Sequence, residues 1–391
     1  KQALLGSNLP AIGLTRYTVT IARAEAFILP RPLVCYWQRA MAKKTHPHKM
    51  VIFLKKNTKK FAFSVRKPIK HRLPMYKLCA QVDITGERSW SLNFVTAVEI
   101  TRDTEKLTAE ATITLPKKLK WNGASEIPVR RGDRVRISLG YNDKLQLAFS
   151  GYVRDVGFKT PVVITCEDDM FKLKQQPAVK KAYRSVNLET LLKDQGITYR
   201  LNIMGEQSLG AYRVTADTVA SLLGKLSEQG VRSFFRYEDG EPVLYCGVLF
   251  ERDNTPSQTF KTGLNIISDQ SLKQQKAENM RLRVKAVSLM PNNKKIKVEV
   301  GDSDGEHRTL HTYNKNETEL KAWAEQELKR LKRDGLTGSF TSFGYKLVDP
   351  LDSIGIIIDG KKMGIYQVKK VVIKYGDNGF RQEITLGLRV A

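Results

Sequence analysis

The residues that could do chemistry in this chain are few, and their spacing argues against most of it. His307 and His311 stand four apart, but the surrounding pattern reads as strand or loop and no third ligand follows, so they read as surface histidines. Asp302-Ser303-Asp304-Gly305-Glu306 opens like a calcium loop, yet Tyr313 occupies the position that needs a bidentate glutamate. A polar hairpin turn is expected there instead. Glu167-Asp168-Asp169 offers the carboxylates of a catalytic acid pair. Standing just before a short helical stretch, they read better as acids at a helix N-terminus, where the dipole favours negative charge. The remaining histidines, His46, His48 and His71, lie within residues 1–74 and leave a Ser-His-Asp or Cys-His arrangement almost without a base. The P-loop, the dinucleotide glycine fingerprint and the zinc-protease H-E-x-x-H are all missing. The four cysteines, Cys35, Cys79, Cys166 and Cys246, form no C-x-x-C pair and read as small core residues from a reducing compartment. No catalytic, cofactor-binding or metal-binding residue is assigned, and the chain is not expected to be an enzyme.

The elements that would have to position any site follow from length and periodicity. At roughly 100–200 residues per domain, 391 residues predict two or three domains. No window approaches the roughly 20 apolar residues of a helical membrane span; the best stretch, residues 10–37, is broken by Arg16, Arg23, Glu25 and Arg31. The formal charge of +26 is uneven: residues 1–74 hold 16 Lys and Arg against Glu25, and the rest hold 50 against 39 acids. This basic leader shows no sustained period and is expected to be disordered or foreign to the native protein, with Met75 as the preferred start and Met50 second. A phosphate-binding basic arm is the alternative.

Strict alternation dominates from Met75 onward. Leu78, Ala80, Val82 and Ile84 share one strand face, as do Leu107 to Leu115, Val135 to Leu139, Leu145 to Val153, and Val162 to Cys166. Residues 75–170 are thus expected to form a small antiparallel barrel or sandwich. Residues 171–255 read as an α/β module, with Ser185 capping a helix that stops at Gly196, Thr215 capping another that stops at Gly230, and a hairpin turning at Asp239-Gly240. Residues 256–391 return to strands, interrupted by a helix at 316–334 that Asn316 and Glu319 cap and Gly335 ends. Glu317–Lys321 and Glu325–Lys329 have the favourable i,i+4 order on that helix. The fold class is mainly β, with two similar small antiparallel barrels and a helix-containing middle.

An internal echo supports two like modules. Gly132-Asp133-Arg134-Val135-Arg136-Ile137, a turn, then Phe149-Ser150-Gly151-Tyr152-Val153 returns as Leu351-Asp352-Ser353-Ile354-Gly355-Ile356, a turn, then Met363-Gly364-Ile365-Tyr366-Gln367-Val368.

These segments, in order, resemble the contractile-tail baseplate hub, the late control protein D family that includes the Mu-like tail hub and is related to the N-terminal part of type VI secretion spike proteins. Thr218-Val219-Ala220-x-Leu222-Leu223, Phe234, Asp239-Gly240 and Val243-Leu244 match its middle segment; Pro350-Leu351-Asp352-x-Ile354, Gly364-x-Tyr366-x-Val368 and Gly379-Phe380 match its closing segment, with Leu351 where a glycine is usual. The resemblance covers 75–391 and omits 1–74. It implies a homotrimer whose subunits each supply two tube-like barrels, a pseudo-hexameric ring between a six-fold tail tube and a three-fold central spike. Its partners would be the spike, the tube and other baseplate proteins, without cofactor, small-molecule substrate, specific nucleic-acid recognition or membrane insertion. It would assemble in a bacterial host cytoplasm and end in the virion tail baseplate of a phage, prophage or related injection system. The alternatives are a basic nucleic-acid-binding protein and a tail-associated peptidoglycan hydrolase.

Overall fold

Alternating apolar residues form strands because successive side chains point to opposite faces of a sheet, and this period governs most of the chain. The computed structural model describes residues 14–20, 49–55, 76–117, 127–205, 208–248 and 254–390. They fall into two units, Lys1–Met75 and Tyr76–Ala391. In the first, β1 (Leu14–Thr20) pairs antiparallel with β2 (Lys49–Lys55). The sequence reading assigned no element there, and the rest of the leader lies outside the described residues.

The second unit opens with β3 (Leu78–Thr85), β4 (Ser89–Leu92), β5 (Ala97–Asp103), β6 (Glu110–Thr114), β7 (Arg134–Tyr141), β8 (Lys144–Val156) and β9 (Val163–Glu167). A middle segment follows: α1 (Met170–Leu173), β10 (Ala182–Asn187), α2 (Leu188–Asp194), β11 (Arg200–Met204), β12 (Ser208–Arg213), α3 (Val219–Ser227), β13 (Arg232–Glu238) and β14 (Glu241–Gly247). Next come β15 (Gln258–Lys261), β16 (Ile266–Ser268) and β17 (Lys273–Gln275), then a three-stranded sheet of β18 (Leu282–Leu289), β19 (Lys295–Gly301) and β20 (Glu306–Tyr313) carrying α4 (Glu317–Leu331). The chain closes with β21 (Gly335–Thr337), β22 (Ser339–Phe343), β23 (Ser353–Ile358), β24 (Lys361–Gly376) and β25 (Gly379–Arg389).

Mainly β character with an α/β middle is what the periodicity predicts, but the expected closed barrels are not formed. Hydrogen bonding runs along an open thirteen-stranded sheet, β16-β22-β25-β24-β5-β6-β9-β8-β7-β3-β4, with β15 and β23 branching from β24. The cause is the length of β24. Its first half pairs with β23 and its second half, residues 370–375, pairs with β5, so the sheet passes from one module to the other instead of curling back.

The echo is a true structural repeat. In the first module β5-β6-β9-β8-β7-β3 are neighbours in that order; in the second, β16-β22-β25-β24-β23-β15 are. Registers agree in detail. Val153 and Asp155 face Cys166 and Thr165 across a one-residue bulge, and Val368 and Lys370 face Leu386 and Thr385 across another. The outermost pairing differs, since β3 runs antiparallel to β7 and β15 runs parallel to β23. One apolar core fills both modules, from Val82, Ile100, Ile137 and Phe149 to Phe260, Phe340, Ile356 and Ile384. Each such side chain contributes about 1.5–3 kcal/mol on burial. A second core packs α2 and α3 against the middle strands, and a third packs Leu320 and Ala324 of α4 on Val284 and Ala286.

Helix starts need correction. Asn187, not Ser185, caps α2 by accepting from the Thr190 N–H; Ser185 lies within β10. Thr218, not Thr215, caps α3 in a capping box with Ser221, while the Thr215 hydroxyl accepts from Lys225. Asn316 and Glu319 do form the predicted box on α4. That helix ends at Lys332, because the chain must straighten before Gly335, which is already in β21.

Candidate assembly site

A tight turn before the first inner strand of each module sets the geometry of the site. In the first, the Asp133 N–H donates to the Arg130 carbonyl, and the Asp133 carboxylate accepts from the Arg130 N–H at 2.8 Å. In the second, Asp352 and Asp349 make the same two bonds, the carboxylate one at 2.9 Å. Each turn is then tied to the long strand beside it. Gly132 N–H reaches the Val153 carbonyl and Val153 N–H the Asp133 carbonyl; Leu351 and Asp352 repeat this with Val368. The residue before each aspartate must take a positive φ, +94° at Gly132 and +76° at Leu351. Leucine there carries roughly 1–2 kcal/mol of strain that glycine does not. Its side chain packs against Phe234, Val243 and Tyr245 of the middle segment, which offsets that cost.

Polar contacts lock the turns to their surroundings. Arg102 of β5 pairs with Asp349 and donates to the Ala148 carbonyl, joining both modules. Arg134 pairs with Asp169 at 2.9 Å and donates to the Ser150 hydroxyl at 2.8 Å, and the Tyr237 hydroxyl donates to Asp169 at 2.5 Å. Arg236 pairs with Asp352 at 2.8 Å, so the middle segment grips both modules. Asp169 is 1% exposed, and a buried carboxylate is tolerable only because these donors surround it. Burial works against charge on Arg134, but Asp169's charge and hydrogen bond outweigh it and raise the guanidinium pKa. Burial and the Asp169 charge push the Tyr237 hydroxyl pKa well up, keeping it a donor.

The acids singled out by sequence each have specific hydrogen-bond partners. Glu167 accepts from Arg154 at 3.2 Å and Lys174 at 2.8 Å. Asp168 accepts from the Ala109 and Met170 N–H groups at 2.9 and 3.0 Å, while burial pushes its carboxyl pKa up to about 7. A helix dipole is a minor influence here, since α1 has only four residues and Asp169 makes no side-chain cap. The predicted hairpin turn at 302–306 is instead a crossover, because β19 and β20 lie on opposite sides of β18. Asp302 secures it through the Leu282 N–H, and Gly305 packs so closely on Leu282 that a Cβ would clash. His307 and His311 sit in one strand, where four residues span about 13 Å, too far for one metal ion. Cys79, Cys166 and Cys246 are free thiols.

An open cleft of about 640 Å³ lies beside the first turn, lined by Val129, Arg130, Arg131, Arg154, Asp155 and Val156. Two of its three guanidiniums pair with acids, Arg130 with Glu87 at 2.6 Å and Arg154 with Glu110 at 2.8 Å. Phe158, two residues past the end of β8, is 89% exposed, and Leu264, just before β16, is 72% exposed. Sequence reading missed β5 and the cleft alike. Val98 and Ile100 alternate as a strand would, but nothing local in them names β24 as partner.

No family model matches the sequence, and no curated protein matches it. Among solved structures, the chain is similar to the 43 kDa tail protein of prophage MuSo2 from Shewanella oneidensis, at 17% identity and a TM-score of 0.52, over 80% of this chain and 97% of that one. It is also similar to the tail protein from Neisseria meningitidis MC58, at 16% identity and a TM-score of 0.54, over 80% and 96%. The chain has the fold of these tail proteins.

Proposed function

We propose that this chain is a structural hub of a contractile-tail baseplate, a homotrimer that adapts the six-fold tail tube to a three-fold central spike. The register-matched duplication carries the reading. Three copies of a chain with two like modules present six similar sheet units, which is how a trimer meets a hexameric tube without breaking symmetry. The tail-protein fold supports it. So does the polar frame in which Arg102–Asp349 joins the two modules while Tyr237–Asp169 and Arg236–Asp352 tie the middle segment to each. The three carboxylates nearest a catalytic arrangement are engaged by hydrogen bonds, which supports a non-enzymatic role over peptidoglycan hydrolysis. Placement in a virion tail baseplate after assembly in the host cytoplasm belongs to the same proposal, as do domains at 75–170, 171–255 and 256–391.

The test is electron microscopy of the purified full chain. The proposal expects annular particles with three-fold symmetry and six lobes around a central channel. Particles of another symmetry, or peptidoglycan lysis by the purified chain, would overturn it.

A further inference from the structure

The three-stranded sheet β19-β18-β20 packs its helix on one face only. Val284, Ala286, Val298 and Leu310 face α4 and cluster with its Leu320 and Ala324. Successive side chains point to opposite faces, so the registers put Arg283 and Lys285 of β18 on the other face, beside Glu299, Lys297 and Lys295 of β19. The apolar members of that face, Val287 and Leu289, are each 8% exposed. The chain just after α3 covers that end of the sheet, where the Tyr313 hydroxyl donates to the Gln229 carbonyl at 3.3 Å and Gly230 lies against His311. Burial, and behind it the charge of Lys295, lower the His311 pKa, so that ring adds no charge at neutral pH.

What stays exposed on this face is mostly positive. Glu299 pairs with Arg283 at 2.7 Å and Lys285 at 3.9 Å, while Lys295 and Lys297 are exposed and have no acid partner among the described residues. None of the exposed large apolar side chains among the described residues lies on this sheet. A protein partner needs an apolar centre, and protein interfaces are poor in lysine. A phosphate backbone needs no apolar centre, because its affinity comes from counterions released to solvent. The face exposes no Phe, Tyr or Trp on which a base could stack, and Arg283, the side-chain type that reads guanine, is already held by Glu299. We propose that this face binds the phosphate backbone of duplex nucleic acid without reading its sequence.

The experiment measures fluorescence anisotropy of a labelled, mixed-sequence DNA duplex with the full chain over a range of salt. Residues 1–74 are themselves basic, so every preparation carries Lys55→Gln, Lys56→Gln, Lys59→Gln and Lys60→Gln. In that background the Lys295→Gln, Lys297→Gln pair should weaken binding roughly tenfold and lower the slope of log affinity against log salt by about 2, with the melting temperature unchanged. Glu299→Gln should strengthen binding several-fold, since it frees Arg283 and Lys285. Absence of binding in the background preparation, or affinity and slope that do not move when Lys295 and Lys297 are changed, overturns the proposal. Tighter binding of poly-L-glutamate than of the duplex overturns the choice of partner. Each of these results leaves the hub reading intact.

Discussion

β8 and β24 are equivalent strands with different company. Both leave a tight type I′ turn, with positive φ at Asn142-Asp143 and Asp359-Gly360, cross the same neighbouring turn, and carry a one-residue bulge at the same place. Beyond the bulge β24 runs on with six residues, 370–375, paired to β5, whereas β8 stops at Val156. Duplicated sequence has produced duplicated register, and the flank of each strand depends on what long-range partner arrives. The ends of the modules differ more sharply. Glu167 ends β9 and Asp168-Asp169 follow it, while the matched positions on β25 are Gly387, Leu388 and Arg389. The first module is bonded to the middle segment through acids that the second does not have.

The comparison breaks most completely if the shared core is charged. Ile356→Asp in the second module, or Ile137→Asp in the first, places an unpaired carboxylate where the native side chain is at most 1% exposed. Several kcal/mol are lost and no cooperative unfolding transition should remain by urea denaturation. Tyr366→Asp should do the same, since its hydroxyl also accepts from the Leu336 N–H. A soluble variant with an unchanged midpoint would contradict the assigned strands.

Arg134→Ala should cost about 3–5 kcal/mol, because it strands a carboxylate that is 1% exposed. Arg130→Ala, which breaks a pair exposed on both sides, should cost less than about 1 kcal/mol. Equal losses in chemical denaturation would remove the distinction between the buried frame and the cleft rim.

The acids at the end of β9 also predict a pH dependence. Burial raises the Asp168 carboxyl from the ordinary 3.8 to about 7, partly opposed by the N–H groups of Ala109 and Met170. Between those values the folded chain holds a proton that the unfolded chain has released. That contribution to stability is complete below about 4 and is lost as pH rises to about 7, by a few kcal/mol at most. Asp168→Asn should flatten that part of the profile of urea midpoints, and a profile parallel to wild type would contradict the assignment.

Leu351 and Gly132 give the smallest contrast. Gly132→Leu should cost about 1–2 kcal/mol, since φ there is +94°. Leu351→Gly should change stability by less than about 1 kcal/mol, strain relief being offset by lost packing on Phe234 and Tyr245. Calorimetry of both variants measures this directly.

Much of this architecture can be read from residue order. Alternation predicts β3, β6 to β9, β22, β24 and β25, because buried and polar residues take turns along them, and the continuous apolar run at Ile354–Ile358 marks β23. The Gly132-Asp133 and Leu351-Asp352 echo announces the repeat, since its turn needs an aspartate at that step and a left-handed residue before it. Helix caps were displaced by two or three residues where several Ser, Thr or Asn candidates precede the apolar run, and only backbone geometry chooses among them. The β5–β24 junction joins residues 267 to 277 positions apart, and Asp168 and Asp169 reach Ala109, Arg134 and Tyr237 at separations of 59, 35 and 68, which no local pattern specifies.

The central claim is that the duplication exists to build a ring from three copies, and the solution mass of the full chain measures it most directly. Light scattering over a hundredfold range of concentration should give a stable species at three times the subunit mass. A monomer, or a closed dimer, at every concentration would contradict the account.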